Sequence, residues 1–138
     1  MKRWRWAALL LALGAPGQAQ VDSELPVSGD AARGRLVFGA CRACHSLRAD
    51  AALGNGPHLH RIFGRAAGKQ VDFEHYSAGF KDAQFVWTPR LMYAWLANPM
   101  AFFPATTMLS PGVPDPQRRA DLIAYLKQAS VRDKEPDR

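Results

Sequence analysis

Residues 40–46 read Ala-Cys-Arg-Ala-Cys-His-Ser, and Cys41 and Cys44 are the only two cysteines in the 138-residue chain. Two thiols three positions apart, followed at once by an imidazole, admit four chemistries. A redox dithiol of the thioredoxin kind wants a βαβ setting, and no strand pattern precedes this stretch. A structural zinc site needs four ligands, and there is no second cysteine pair. A disulfide spanning two residues leaves His45 without a role. The fourth pattern, C-x-x-C-H, is the attachment signature of haem c. A helical turn places residues i and i+3 on one side, so each thiol can add to one vinyl group on the same edge of a flat macrocycle. His45 then comes under the iron as its proximal ligand. This reading uses all three residues.

Upstream, residues 1–20 (MKRWRWAALLLALGAPGQAQ) have the form of a secretory signal peptide. Lys2, Arg3 and Arg5 make a basic n-region, Ala7 to Leu13 a short apolar h-region, and Gly17 and Ala19 are small residues at −3 and −1 of a cut after Ala19. The apolar run is far shorter than the roughly 20 residues that span a bilayer. Export followed by cleavage near Ala19 is the expectation, with a periplasmic mature chain and a single domain over 20–138. Three of the six excess positive charges, 18 Lys+Arg against 12 Asp+Glu, lie in that leader, which leaves +3. No remaining basic cluster alternates with aromatics as a single-strand groove requires. Nucleic acid is excluded as a partner, and stable membrane insertion is not expected once the signal is cleaved.

Downstream, three helices are predicted from their start signals. Asp30 caps a helix from Ala31 to about Ala40, with Gly34, Val37, Phe38 and Cys41 on one face. Thr88-Pro89 opens a second, striped by Leu91, Met92, Trp95 and Leu96 and stopped by Pro99. Asp115-Pro116 opens a third, carrying Leu122, Ile123, Tyr125, Leu126 and Ala129. Between them about 40 residues, 46–86, show no periodicity, too long a loop for an ordinary compact domain. A haem resolves the conflict, because an apolar disc supplies the core around which loops can fold.

With these motifs in place the chain resembles the class I cytochromes c, in particular the small soluble carriers of mitochondria and purple bacteria. The likeness spans about residues 29–130. It includes G-P-H-L-H-R-I-F-G-R at 56–65, W-x-x-x-x-x-x-x-W-L-x-N-P at 87–99 and R-A-D-L-I-A-Y-L-K at 119–127. The resemblance implies an all-α fold in which N- and C-terminal helices cross at Gly34, Phe38 and Tyr125, with loops wrapped around one covalent haem c. It implies that the Pro57 carbonyl accepts the His45 N–H, and that Arg65, Tyr76 and Trp87 bond the haem propionates. It makes Met108 the second axial ligand of the iron, with Thr106 as the hydroxyl of its loop. Met92, on a helix stripe, reads as core packing, and Met100 follows a helix end. His58, His60 and His75 are the competing nitrogen donors.

A His/Met pair favours ferrous iron and raises the reduction potential. Six strong ligands leave no vacancy for a substrate, and no general base or nucleophile gathers with the motif. The implied function is one-electron transfer between redox proteins that dock at the exposed haem edge, by a monomer and not an enzyme. A haem subunit held by a periplasmic oxidoreductase, and a sensor with a labile sixth ligand, remain as alternatives. Where mitochondrial relatives ring that edge with lysine, this chain has Met100, Ala101 and Thr107.

Overall fold

The computed structural model describes residues 25–52 and 54–131; the expected signal peptide and its cleavage site lie outside them. Five helices are present among these residues: α1 (Ala31–Phe38), α2 (Ala78–Lys81), α3 (Pro89–Ala97), α4 (Pro99–Phe102) and α5 (Pro116–Ala129). The sole β pairing among them is an isolated antiparallel bridge between Ala66 and Val86. The three longer helices begin at the capping residues that the sequence marks. Asp30 accepts from Arg33 N at 2.8 Å, Thr88 from Leu91 N at 3.1 Å and Asp115 from Arg118 N at 2.7 Å. Each side chain satisfies an amide that the helix itself cannot.

Three boundaries differ from the expectation. α1 closes at Phe38 and not near Ala40, and residues 39–44 continue as turns. One of these keeps a helical bond, His45 N to Cys41 O at 2.9 Å, so the cysteine pair still rides on a helix-like turn. Pro99 ends α3 but also starts α4, because Asn98 turns its side chain forward and accepts from Ala101 N at 3.1 Å. Inside 46–86, Ala78–Lys81 forms one helical turn.

α1 packs across α5 at very short range. A Cβ on Gly34 would overlap the Asp121 carbonyl and lie 2.8 Å from Tyr125 Cβ. A Cβ on Gly29 would likewise overlap the Ala120 carbonyl. The Phe38 and Tyr125 rings meet beside this crossing with centroids 5.5 Å apart. Asp121, 2% exposed, locks it. Its carboxylate accepts from Asp30 N, Arg33 Nε and Arg33 Nη2, each at 2.8 Å, and from Gln117 Nε2 at 3.0 Å. Four charge-favouring donors satisfy a group that burial alone would penalise.

The core continues from Leu122, Ile123 and Leu126 of α5 to Met92, Trp95 and Leu96 of α3. Phe80 caps it, with ring centroids 5.4 Å from Trp95, 6.3 Å from Trp87 and 4.6 Å from Phe103. The long loop is tied to this core by its backbone. Arg61 N donates to Ser130 O at 2.6 Å, and the Ala66–Val86 bridge is flanked by Ala67 N to Phe85 O and Trp87 N to Arg65 O, both 2.9 Å. Gly68, at φ +68°, passes so close to the Phe80 carbonyl that a Cβ would overlap it. A left-handed backbone and zero clearance together demand glycine there.

The Asp121 contacts, led by the Arg33 side-chain hydrogen bond, hold its carboxyl well below the usual carboxylate range. A depressed folded pKa gives stability that is complete above the unfolded value of about 3.9 and is lost as pH falls below it. Asp121→Asn is therefore expected to lower the urea midpoint at neutral pH. The gap between variant and parent should narrow as pH drops from about 5 to about 2. Urea titrations over that range measure it.

Candidate haem site

Cys41 and Cys44 are half-buried, unpaired thiols on the turn that follows α1. Burial pushes the Cys41 thiol up, with Cys44 acting in the same direction. The adjacent His45 ring sits in a slot made by the Gly54–Pro57 segment. Its Nδ1 lies 2.7 Å from the Pro57 carbonyl. With the proton on Nδ1, donated to that oxygen, the Nε2 lone pair is free to bind a metal. Burial lowers the His45 pKa and the Pro57 hydrogen bond partly offsets it, so the ring is the neutral form that ligation needs. Gly56 makes the slot possible. A Cβ at that position would overlap His45 Cε1 and lie 2.8 Å and 2.9 Å from Nδ1 and Nε2. Gly56 N to Cys44 O at 3.1 Å and Leu59 N to Ser46 O at 2.7 Å strap the segment to the attachment turn.

Met108 is half-buried in the loop after α4 and packs against the core. Thr106 Oγ1 accepts from Met108 N at 3.1 Å, and Thr106 N donates to Phe103 O at 2.9 Å. The loop returns through Gly112, at φ +82°, where a Cβ would stand 2.6 Å from Leu96 O. Val113 N then closes on Leu96 O at 2.6 Å. Of the other methionines, Met92 is a core residue 6% exposed and Met100 is 50% exposed.

Arg65, Tyr76 and Trp87 come from three separate places in the loop region. Trp87 is buried, edge-on to Phe85 at 5.0 Å and to Trp95 at 5.9 Å. Tyr76 is half-buried against Phe73 at 4.9 Å, and burial raises its phenol pKa. Arg65 is turned inward. Nη1 donates to His58 O at 3.1 Å and His60 O at 3.0 Å, and Nη2 donates to Gln70 Oε1 at 2.6 Å. Burial of the His58 ring, and then the charge of the neighbouring Arg65, lower the His58 pKa, and His75 is exposed, edge-on to Phe73. Gln70, only 8% exposed, was not among the residues singled out from sequence. A lone glutamine in an irregular stretch carries no local signal.

These residues fit a haem. Neutral imidazole and a thioether are a usual ligand pair for its iron, and two thiols on one turn are its attachment points. Gln70 Nε2, Ser77 Oγ and His60 Nδ1 are buried without a protein partner. Orphaned donors in the segment of Arg65 and Tyr76 are what a pair of buried carboxylates would satisfy. Phe80, Trp87, Trp95 and Phe103 supply an apolar wall.

Helical fold, attachment turn and imidazole slot together define a protein built around a covalent tetrapyrrole. No family model matches the chain. It is 40% identical over 109 residues to the cytochrome c of Ginkgo biloba, covering 78% of this chain and 95% of that protein. Over 104 residues it is also 40% identical to the cytochrome c of Ulva intestinalis, 75% of this chain and 93% of the relative. Among solved structures it is similar to cytochrome cH from Methylobacterium extorquens, with a TM-score of 0.66 and 38% identity over 72% of this chain and 98% of that one. The chain belongs to the cytochrome c family. It has the class I fold, carries one haem c bound through Cys41 and Cys44, and is an electron-transfer protein rather than an enzyme.

Gly56→Ala is expected to push the His45 ring away from Pro57. Overpacking of this kind costs about 1–3 kcal/mol. Thermal unfolding of the holoprotein should show the loss, with an altered ferric spectrum. Gly54→Ala, whose Cβ would meet Cys44 O at 3.0 Å, should be milder.

Proposed function

We propose that the protein is a monomeric, periplasmic one-electron carrier whose iron is held by His45 Nε2 and Met108 Sδ. The observation that carries this reading is the His45 ring, fixed with Nδ1 2.7 Å from Pro57 O. A carbonyl that takes the Nδ1 proton makes the imidazole a better donor and sets its orientation. The Met108 loop, in which Thr106 Oγ1 accepts from Met108 N, would supply the Met108 thioether as the second ligand. Arg65, Tyr76 and Trp87 take the propionates. In this reading the leader ends near Ala19 and residues 20–138 form one domain.

The haem supplies the redox couple; the chain supplies a fixed ligand field and a dry surround. Two protein ligands held in both oxidation states mean little rearrangement when one electron arrives or leaves. The aromatic wall keeps water from the iron, and in a low dielectric the thioether's preference for Fe(II) raises the potential further. Met108→Ala is expected to abolish the far-red Met–Fe(III) band, lower the potential and open the iron to imidazole or cyanide. Met100→Ala and Met92→Ala should keep the band, the latter with a packing loss of ~2–5 kcal/mol. Loss of the band in Met100→Ala and not in Met108→Ala overturns the assignment.

Redox partners dock at the exposed haem edge. Its surface here is Met100, 50% exposed, with Ala101, Thr107 and Leu109, 96% exposed. Phe102 and Phe103 are half-buried and turn inward onto Trp95 at 5.7 Å and Phe80 at 4.6 Å. The edge is apolar. Without a lysine ring, association lacks strong charge steering. Stopped-flow electron transfer to the natural partner should therefore fall only a few-fold between about 10 and 200 mM salt, where a steered pair falls steeply. A steep slope rejects an apolar docking edge.

A further inference from the structure

Among the described residues between 46 and 86, Gln70 is the only polar residue that is buried as a whole. Its amide faces two ways. One end meets Arg65 Nη2 at 2.6 Å. A guanidinium carries donors and no acceptor, so the group facing it must be the amide oxygen. That leaves no freedom in the O/N assignment. Nε2 is forced to the opposite side, where it is buried and has no partner in the protein. An amide N–H2 sealed without an acceptor costs about 1–3 kcal/mol, and native interiors seldom leave such a donor unpaired. The backbone makes it rigid, since Phe73 N closes a turn on Gln70 O at 3.3 Å. Gln70 is therefore tied directly to the guanidinium assigned above to the haem propionates.

We propose that Gln70 is a further haem-binding residue: Nε2 donates to a propionate carboxylate while Oε1 holds the Arg65 guanidinium against it. The inference rests on the propionate placement given under Proposed function and adds to it a donor that no motif marks. The carboxylate would take a charge-assisted bond from Arg65 and a neutral one from Gln70, and both favour its ionised form. Through that charge Gln70 tunes the iron, because an anion near the haem favours Fe(III) and its satisfaction by donors weakens the bias.

The test has two arms. In the isotope-labelled ferrous holoprotein, the Gln70 side-chain amide protons should show nuclear Overhauser contacts to propionate methylene protons and slowed exchange with water. In Gln70→Met, the propionate inflection in a plot of midpoint potential against pH should move upward by about one unit, the free energy of one such bond. Arg65→Met should move the inflection in the same direction. Free-amide exchange with no propionate contact overturns the role of Gln70, as does an unmoved inflection in Gln70→Met beside a moved one in Arg65→Met. If neither variant moves it and the contact is absent, the propionate placement itself fails.

Discussion

Everything in this molecule hangs from a place where a side chain is missing. Gly34 lets α1 lie directly on the Asp121 carbonyl of α5, at a separation that even a methyl group would prevent. An eight-residue helix has too few hydrogen bonds to persist alone. α1 therefore takes its direction from α5, through the backbone contact at Gly34, the ring contact of Phe38 with Tyr125 and the four donors on Asp121. The attachment turn follows α1 immediately. Where Cys41, Cys44 and His45 stand is thus decided about two helical turns away, by packing that contains no haem chemistry.

The haem in turn explains a chain that otherwise looks short of core. Residues 46–86 contain one helical turn and one β-bridge, and their own backbone bonds are scattered. Such a segment repays its ordering entropy only by covering a large apolar surface. The side chains it turns inward match both sides of an amphiphilic disc. Leu47, Ile62, Ala67 and Phe80 are buried and apolar, whereas Arg65 and Gln70 form a hydrogen-bonded polar pair. An apolar plate with two carboxylates at one edge calls for that division.

Legibility in the sequence followed the range of the forces involved. Capping is local chemistry, so Asp30, Thr88 and Asp115, the last two followed by proline, mark three helix starts correctly. The C-x-x-C-H turn is legible for the same reason. α2 and α4 are single turns, each of four residues, with no period to detect. α4 exists because the Asn98 side chain caps forward, which a proline read only as a stop conceals. Phe102 and Phe103 stand in a polar, proline-rich loop whose sequence leaves their burial open. They turn inward because Gly79 leaves room for Phe103, whose ring a Cβ there would meet at 2.7 Å, and because Trp95 presents an edge to Phe102. Gln70 is hidden for a similar reason, since its role depends on Arg65 arriving from five residues away with a group that only donates.

In the proposed His45/Met108 ligation, the segments that carry the two ligands are fastened differently. His45 is held by a helix-like turn, a glycine slot and a carbonyl, on elements fastened to the α1–α5 crossing. Met108 packs against the core, but its backbone is held by Thr106 on the Met108 amide and by the return at Gly112 onto the end of α3. Local opening follows the density of such fastenings. A fluctuation that frees the Met108 loop need break only a few bonds and leaves the crossing intact, whereas release of His45 requires displacing the Pro57 strap beside the covalent attachment. The thioether is also the weaker donor to Fe(III). In the proposed ligation, both the scaffold and the ligand chemistry therefore place the weaker bond at Met108.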